Sequence, residues 1–288
     1  MFIVDRMKFS SILGLLLLSV APFAASGQEI GLQLSSLQEQ FEKDAPATMA
    51  KVKAMGIRQV EMKGTHGLSF PEFIKLLATN EISVVSFEAD FEKLKNFPQV
   101  VTDEARSYGA KFIVCSVPSK GSAFTSQEIE KHAEIFNQAG KVIARNGLLL
   151  CYRPNGSEFD QYKEGTLFDY FIEKIDTRYV HLEMDVMAVK QAGQDPAALL
   201  KKYPSRFVLL QLKDRKPGSG VSLAGKSERN EYVVLGSGEV NIKNVVATAR
   251  TLGIQYYFIE DASANAEKQI PKSLAYLRTI NEKDSAKQ

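Results

Sequence analysis

From residue 30 onward the chain alternates short runs dense in β-branched and aromatic residues with longer stretches whose apolar positions recur every three or four residues. The short runs fall at 30–35, 59–63, 83–89, 112–117, 148–153, 180–186, 207–213 and 256–261 and predict eight strands. Helical spacing occupies 45–55, 69–79, 99–108, 126–146, 167–174, 196–202, 242–252 and 268–280. Four of these helices stop at a glycine just before the next strand, in Met55-Gly56, Tyr108-Gly109, Asn146-Gly147 and Leu252-Gly253, where a left-handed residue closes a helix at no steric cost. Most strand runs are near-continuously apolar, as parallel strands covered on both faces require. Eight β-α units of about 30 residues each predict an α/β protein with a single (β/α)8 TIM barrel. An open doubly wound sheet competes with it and is disfavoured, because no GxGxxG follows the first strand.

The segment before residue 28 follows a different pattern. Arg6 and Lys8 precede an apolar stretch over 12–25, and Ala25-Ser26-Gly27 supplies small residues at the cleavage positions. This predicts a signal peptide over 1–27, a periplasmic or secreted protein, and no membrane span after cleavage. Met7 is an alternative start, and no cysteine follows the apolar stretch to carry a lipid anchor. Removing 27 of 288 residues leaves 261 for the barrel domain, 28–288. With 44% hydrophobic residues and a net charge of only +2, with both signs interspersed, nothing in the composition calls for nucleic acid or a membrane surface as partner. Cys115 and Cys151 sit inside apolar runs and are expected as buried free thiols rather than as a disulfide.

The chemistry concentrates where strands end. Glu61, Glu183 with Asp185, Asp214, and Glu260 with Asp261 all close apolar runs. In a barrel these positions gather at the C-terminal mouth, where catalytic groups sit. Glu183 and Asp185 are two apart on one strand and share a face. Acids this close need a cation, a proton or basic side chains to neutralise them. Lys213 shares the face of Gln211 and can bind a hydroxyl-rich or anionic ligand or pair with one of the acids. Arg153, at the start of the turn Arg153-Pro154-Asn155-Gly156, offers a planar fork of donors at or beside the mouth. Gly236-Ser237-Gly238-Glu239 can present amides to a phosphate, although a simple turn explains the same residues. The connection 214–241 is the longest and reads as an exposed excursion. Of the three histidines only His66 stands near a candidate site.

Taken in order, GlyLeuGlnLeu at strand one, ValGluMetLysGly at strand two, TyrArgProAsnGlySerGluPhe at strand five, GluMetAspVal at strand six, GlnLeuLysAsp at strand seven, GlySerGlyGlu before the seventh helix and IleGluAsp at strand eight resemble the sugar phosphate isomerase/epimerase family with its xylose isomerase-like barrel. The motifs are short; their order and spacing over about residues 30–277 carry the resemblance, and it points to an exported member. It implies one divalent ion, Mg²⁺ or Mn²⁺, held partly by Asp185 and Glu260, and proton transfer between two acids. It also matches Glu61, Glu158, Glu183 and Lys213 to family positions. This chain departs from the family where relatives carry histidines: Arg153 stands after strand five, Gln211 on strand seven and Glu88 on strand three. A guanidinium at such a place repels a divalent ion and can itself neutralise Asp185 and Glu260.

The expected function is therefore sugar isomerisation or epimerisation. Glu260 abstracts a proton next to a carbonyl, Asp185 or Glu183 returns or orients it, and Lys213 and Arg153 hold the developing oxyanion. Glu61, Glu158 and Gln211 complete the binding set for a small carbohydrate. The competing expectation is a non-catalytic carbohydrate-binding barrel that lost its metal site. Phosphodiester cleavage by a multi-metal centre lacks the ligands it needs.

Overall fold

In a computed structural model, described over residues 29–119, 122–223 and 228–285, eight parallel strands close on themselves. They are β1 (Glu29–Gln33), β2 (Gln59–Met62), β3 (Ser83–Glu88), β4 (Phe112–Cys115), β5 (Leu149–Tyr152), β6 (Val180–Asp185), β7 (Phe207–Leu212) and β8 (Tyr256–Ile259). Each pairs with its neighbour in sequence, and β1 closes the ring against β8 from Glu29↔Tyr256 to Leu32↔Ile259. The predicted barrel is present, with the predicted helices between its strands. The segment expected as a signal peptide lies outside the described residues. Among the described residues no helix is long and apolar enough to cross a membrane.

Local chemistry moves some boundaries. Strand six was expected to run to Val186, but both Met187 and Ala188 donate their amides to Asp185 Oδ1, at 3.1 and 3.0 Å, so Asp185 ends the strand and caps the helix Val186–Gln191. Likewise β1 stops at Gln33, whose side chain accepts from the Ser35 amide at 3.0 Å and starts a 3-10 turn, Leu34–Leu37. The short helices Gln38–Lys43, Phe91–Asn96 and Val186–Gln191 span too few residues to show a period. The connection 214–241 is anchored rather than wholly exposed. Asp214–Arg215 pairs antiparallel with Tyr232–Val233, and the buried Arg215 guanidinium faces Glu239 at 3.3 Å.

Two apolar regions hold the fold. One lies between barrel and helices and includes Leu32, Val60, Leu150, Leu182 and Leu210 from strands with Phe136 and Leu274 from helices. The other, Val85, Phe112, Val114, Cys151, Leu209 and Phe258, forms a separate cluster carried by five strands. Side chains two apart on a strand share a face. The series Cys151 to Arg153, Leu209 to Gln211 to Lys213 and Phe258 to Glu260 thus passes from apolar to polar as each strand reaches the mouth. Both cysteines are free and buried, as expected. The ladder slips between Val60 and Glu61 against β3, and between Leu182 and Glu183 against β7, so each of these buried acids follows an irregularity.

Gly31 makes room for this packing, since a Cβ there would lie 2.7 Å from both the Gln59 carbonyl oxygen and Phe258 Cδ1. Gly31→Ala is expected to destabilise the protein by about 1–3 kcal/mol through overpacking, read as a lower urea midpoint at unchanged m-value.

Candidate functional site

At the C-terminal mouth the charged side chains form two connected groups. The first is built around Arg153, which extends from the end of β5. Its Nη1 donates to Glu61 Oε1 at 3.1 Å and Glu183 Oε2 at 3.2 Å, and its Nη2 to Glu88 Oε2 at 2.6 Å. Glu61 also accepts from Gln33 at 3.0 Å, Gln211 at 3.2 Å and Ser86 at 2.6 Å. Glu61 and Glu183 are 0% exposed. Lys63 reaches Glu88 from the solvent side at 2.8 Å.

The second group is a triad in which Lys213 Nζ lies 2.8 Å from Asp185 Oδ2 and 2.9 Å from Glu260 Oε2. The expected pairing is therefore redrawn: Lys213, not Arg153, neutralises Asp185 and Glu260, and Arg153 serves the acids of β2, β3 and β6. Both groups border one cavity of about 340 Å³, within the usual range for a small-molecule site. Asp185, Glu260, Glu88, Lys63, Arg153 and Lys213 line it, together with the neutral Gln33, Ser35, Ser116 and Asn155.

Electrostatics separate the acids. Burial raises the Glu61 carboxyl against the pull of Arg153. Burial, then the neighbouring Glu61, pushes Glu183 well above the ordinary carboxylate range. One Glu183 oxygen and the Gln211 carbonyl oxygen are buried without a hydrogen-bond partner. Glu88 behaves oppositely. Its burial would raise it, but Arg153 and Lys63 together hold it down to about 2. For Lys213 burial alone would lower the ammonium's pKa, yet Asp185 and Glu260 outweigh it and keep Lys213 protonated.

Not every candidate residue reaches the cavity. Glu61, Glu183 and Gln211 lie sealed behind Arg153 and Gln33. Glu158, expected at the ligand, turns away from it. The Tyr152 hydroxyl and the amides of Asn155 and Gly156 all donate to its carboxyl, the amides at 3.2 and 3.1 Å, so it shapes the loop after β5. His66 is also elsewhere: it stacks on Phe41 with ring centroids 4.3 Å apart, its Nδ1 donates to the Gln38 side-chain oxygen at 2.6 Å, and burial pushes its pKa down to about 4. Asp261 accepts from the Ser263 amide at 2.9 Å. Gln33, Lys63 and Asn155 are cavity residues that the sequence did not single out. Glu88, which the resemblance placed at a family histidine position, does line the cavity, and it ends the apolar run of β3 in an acid as Glu61 does that of β2.

A family pattern described as a xylose isomerase-like TIM barrel matches residues 49–280. The chain belongs to this family. An inosose dehydratase from Klebsiella pneumoniae subsp. pneumoniae is 25% identical over 198 residues, 59% of this chain and 65% of that enzyme's length, so the match spans just under two thirds of it. A sugar phosphate isomerase/epimerase from Parabacteroides distasonis superposes with a TM-score of 0.72 at 24% identity, covering 88% of this chain and 98% of that one. The IolI protein, whose crystal structure holds a zinc atom, superposes at 0.70 with 12% identity over 88% of this chain and 98% of its own. At these identities the superpositions speak for the fold alone.

The divalent ion implied by the resemblance does not fit the side chains of this member of the family. An ammonium stands where Asp185 and Glu260 converge, and the other Asp185 oxygen caps a helix. Among the described residues no group of three or more His, Cys, Asp or Glu is placed to hold a metal ion.

Removing the guanidinium should expose the cost of these buried acids. Arg153→Met is expected to destabilise the protein by about 3–5 kcal/mol near neutral pH. Raised carboxyls such as Glu61 and Glu183 contribute stability below their unfolded-state pKa and lose it as pH rises through the raised folded value. The deficit should therefore shrink between pH 7.5 and pH 5, measured by urea unfolding. An equal deficit at both pH values would mean that these carboxyls are not what Arg153 holds.

Proposed function

We propose that this mouth carries out isomerisation or epimerisation of a small carbohydrate or sugar derivative by proton transfer between carboxylates. The observation that supports this reading is the Lys213 ammonium held between Asp185 and Glu260 at 2.8 and 2.9 Å on the cavity wall. Glu260 takes a proton from the carbon next to a carbonyl. Glu260 returns that proton to the neighbouring carbon, the hydroxyl proton passing to the former carbonyl oxygen, while Asp185 orients the substrate; in epimerisation Asp185 instead delivers a proton drawn from solvent to the opposite face and Glu260 releases its own, so the product is an isomer and nothing is oxidised overall. Lys213 lies between the two bases and donates to the carbonyl oxygen as it gains the charge of an enediolate. Because its neighbours keep it cationic, Lys213 stabilises charge and does not abstract protons. Arg153 adds positive potential, while Glu183, sealed behind it, positions the guanidinium and does not touch the substrate.

A second reading, a carbohydrate-binding barrel without turnover, is favoured by one observation. Both candidate bases are already ion-paired to Lys213, so a substrate must compete with the ammonium for their oxygens. The sequence over 1–27 further supports an exported protein, with a mature N-terminus at Gln28 that intact-mass measurement of the purified protein would give.

Across a panel of ketoses and keto-glycosides, Glu260→Gln and Asp185→Asn should each lower kcat by roughly 10²–10⁴, with smaller changes in KM. Lys213→Met should lower kcat by about 10²–10³. Full turnover in both carboxylate variants would remove this reading. Sugar binding by calorimetry without turnover in the unmodified protein would establish the second one.

A further inference from the structure

We propose that the ligand of this mouth is an uncharged polyhydroxylated molecule, and that the site rejects the corresponding phosphate esters. The proposal rests on the reading of the mouth as a carbohydrate site and names the class of carbohydrate it takes.

A phosphate needs either a cation not already matched by carboxylates or a cluster of free amides. The cavity supplies neither among the described residues. Five carboxyl groups, Glu61, Glu88, Glu183, Asp185 and Glu260, surround three cations, Lys63, Arg153 and Lys213, and each cation already contacts at least one of them. Arg153 meets three carboxyls and Lys213 two. Of the acids, Glu88, Asp185 and Glu260 line the cavity itself. A phosphate dianion placed here stands beside these three, and the three cations of the same wall, Lys63, Arg153 and Lys213, are already paired to them.

The amide cradle is closed to phosphate by a separate device. Gly236-Ser237-Gly238 precedes the helix Ile242–Thr251, as phosphate-binding turns do in many barrels. Here its amides are taken by the chain's own anion. Asp214 Oδ2 accepts from Gly236 and Gly238 at 2.9 and 3.0 Å, and Oδ1 from Val240 and Arg215 at 3.0 and 2.9 Å. The fit is tight, for a Cβ on Gly238 would stand 2.3 Å from Asp214 Oδ1. The rest of the polar wall is neutral: Ser35 and Ser116 line it beside the amides of Gln33 and Asn155, which are held by their own partners, and hydroxyl-bearing surface of this kind suits hydroxyl groups.

Calorimetry and turnover with matched pairs, each a ketose and its phosphate ester, test this on the whole protein, with inorganic phosphate as a competitor. The neutral member of a pair should bind at least roughly tenfold tighter than its ester, since a single like-charge contact already costs that much. Millimolar inorganic phosphate should leave ketose binding unchanged. A tighter-binding ester, or competition by inorganic phosphate, would overturn the proposal while leaving the carbohydrate site in place. Binding of neither member of any pair would instead remove the carbohydrate reading and this proposal with it.

Discussion

The site depends on one guanidinium. Glu61, Glu88 and Glu183 project from three strands toward one point in the upper barrel, with Glu61 and Glu183 fully buried, where a bare carboxylate costs several kcal/mol. Arg153 crosses from a fourth strand and contacts all three, using the planar fork that a lysine lacks. Gln33, Gln211 and Ser86 then arrange themselves around Glu61. The result is a polar plug closing the interior, with the ligand cavity on its outer side. Without Arg153 these carboxyls would be buried together and uncompensated, and neither the plug nor the cavity floor above it would keep its shape.

That plug changes what the mouth can do. In the family to which the chain belongs, the fold accommodates a metal, as the zinc atom in the IolI protein illustrates. Here an ammonium stands between Asp185 and Glu260, carrying one charge rather than two and bringing donors rather than open coordination positions. In the proposed reaction such a centre polarises a carbonyl through hydrogen bonds.

The barrel was legible because its signals are local: apolar runs of strand length, helical spacing between them, and glycine stops. The acids at strand ends were legible for the same reason, since position along a strand fixes both the face and the height of a side chain. Pairing was not. Which carboxyl Arg153 meets depends on where β2, β3 and β6 stand around the ring, and no spacing along the chain encodes that distance. Gln33 escaped notice because a neutral residue leaves no charge signature. Glu158 misled because its partner, Tyr152, is hidden in an apolar run, and the cap formed by Asp185 was lost in a helix of six residues.

Tyr152 and Arg153 are adjacent on the same strand end, and successive side chains there point to opposite sides. Tyr152 faces outward, packs against Phe136 and Phe171, and donates to Glu158, which in turn fixes the loop carrying Asn155 to the cavity. Arg153 faces inward and ties together the acids of the floor. Wall and floor of the cavity are thus fastened by neighbouring residues, one through packing outside the ring and one through charge inside it. A shift of this strand end by a fraction of an ångström moves both at once, so shape and potential at the mouth can only vary together.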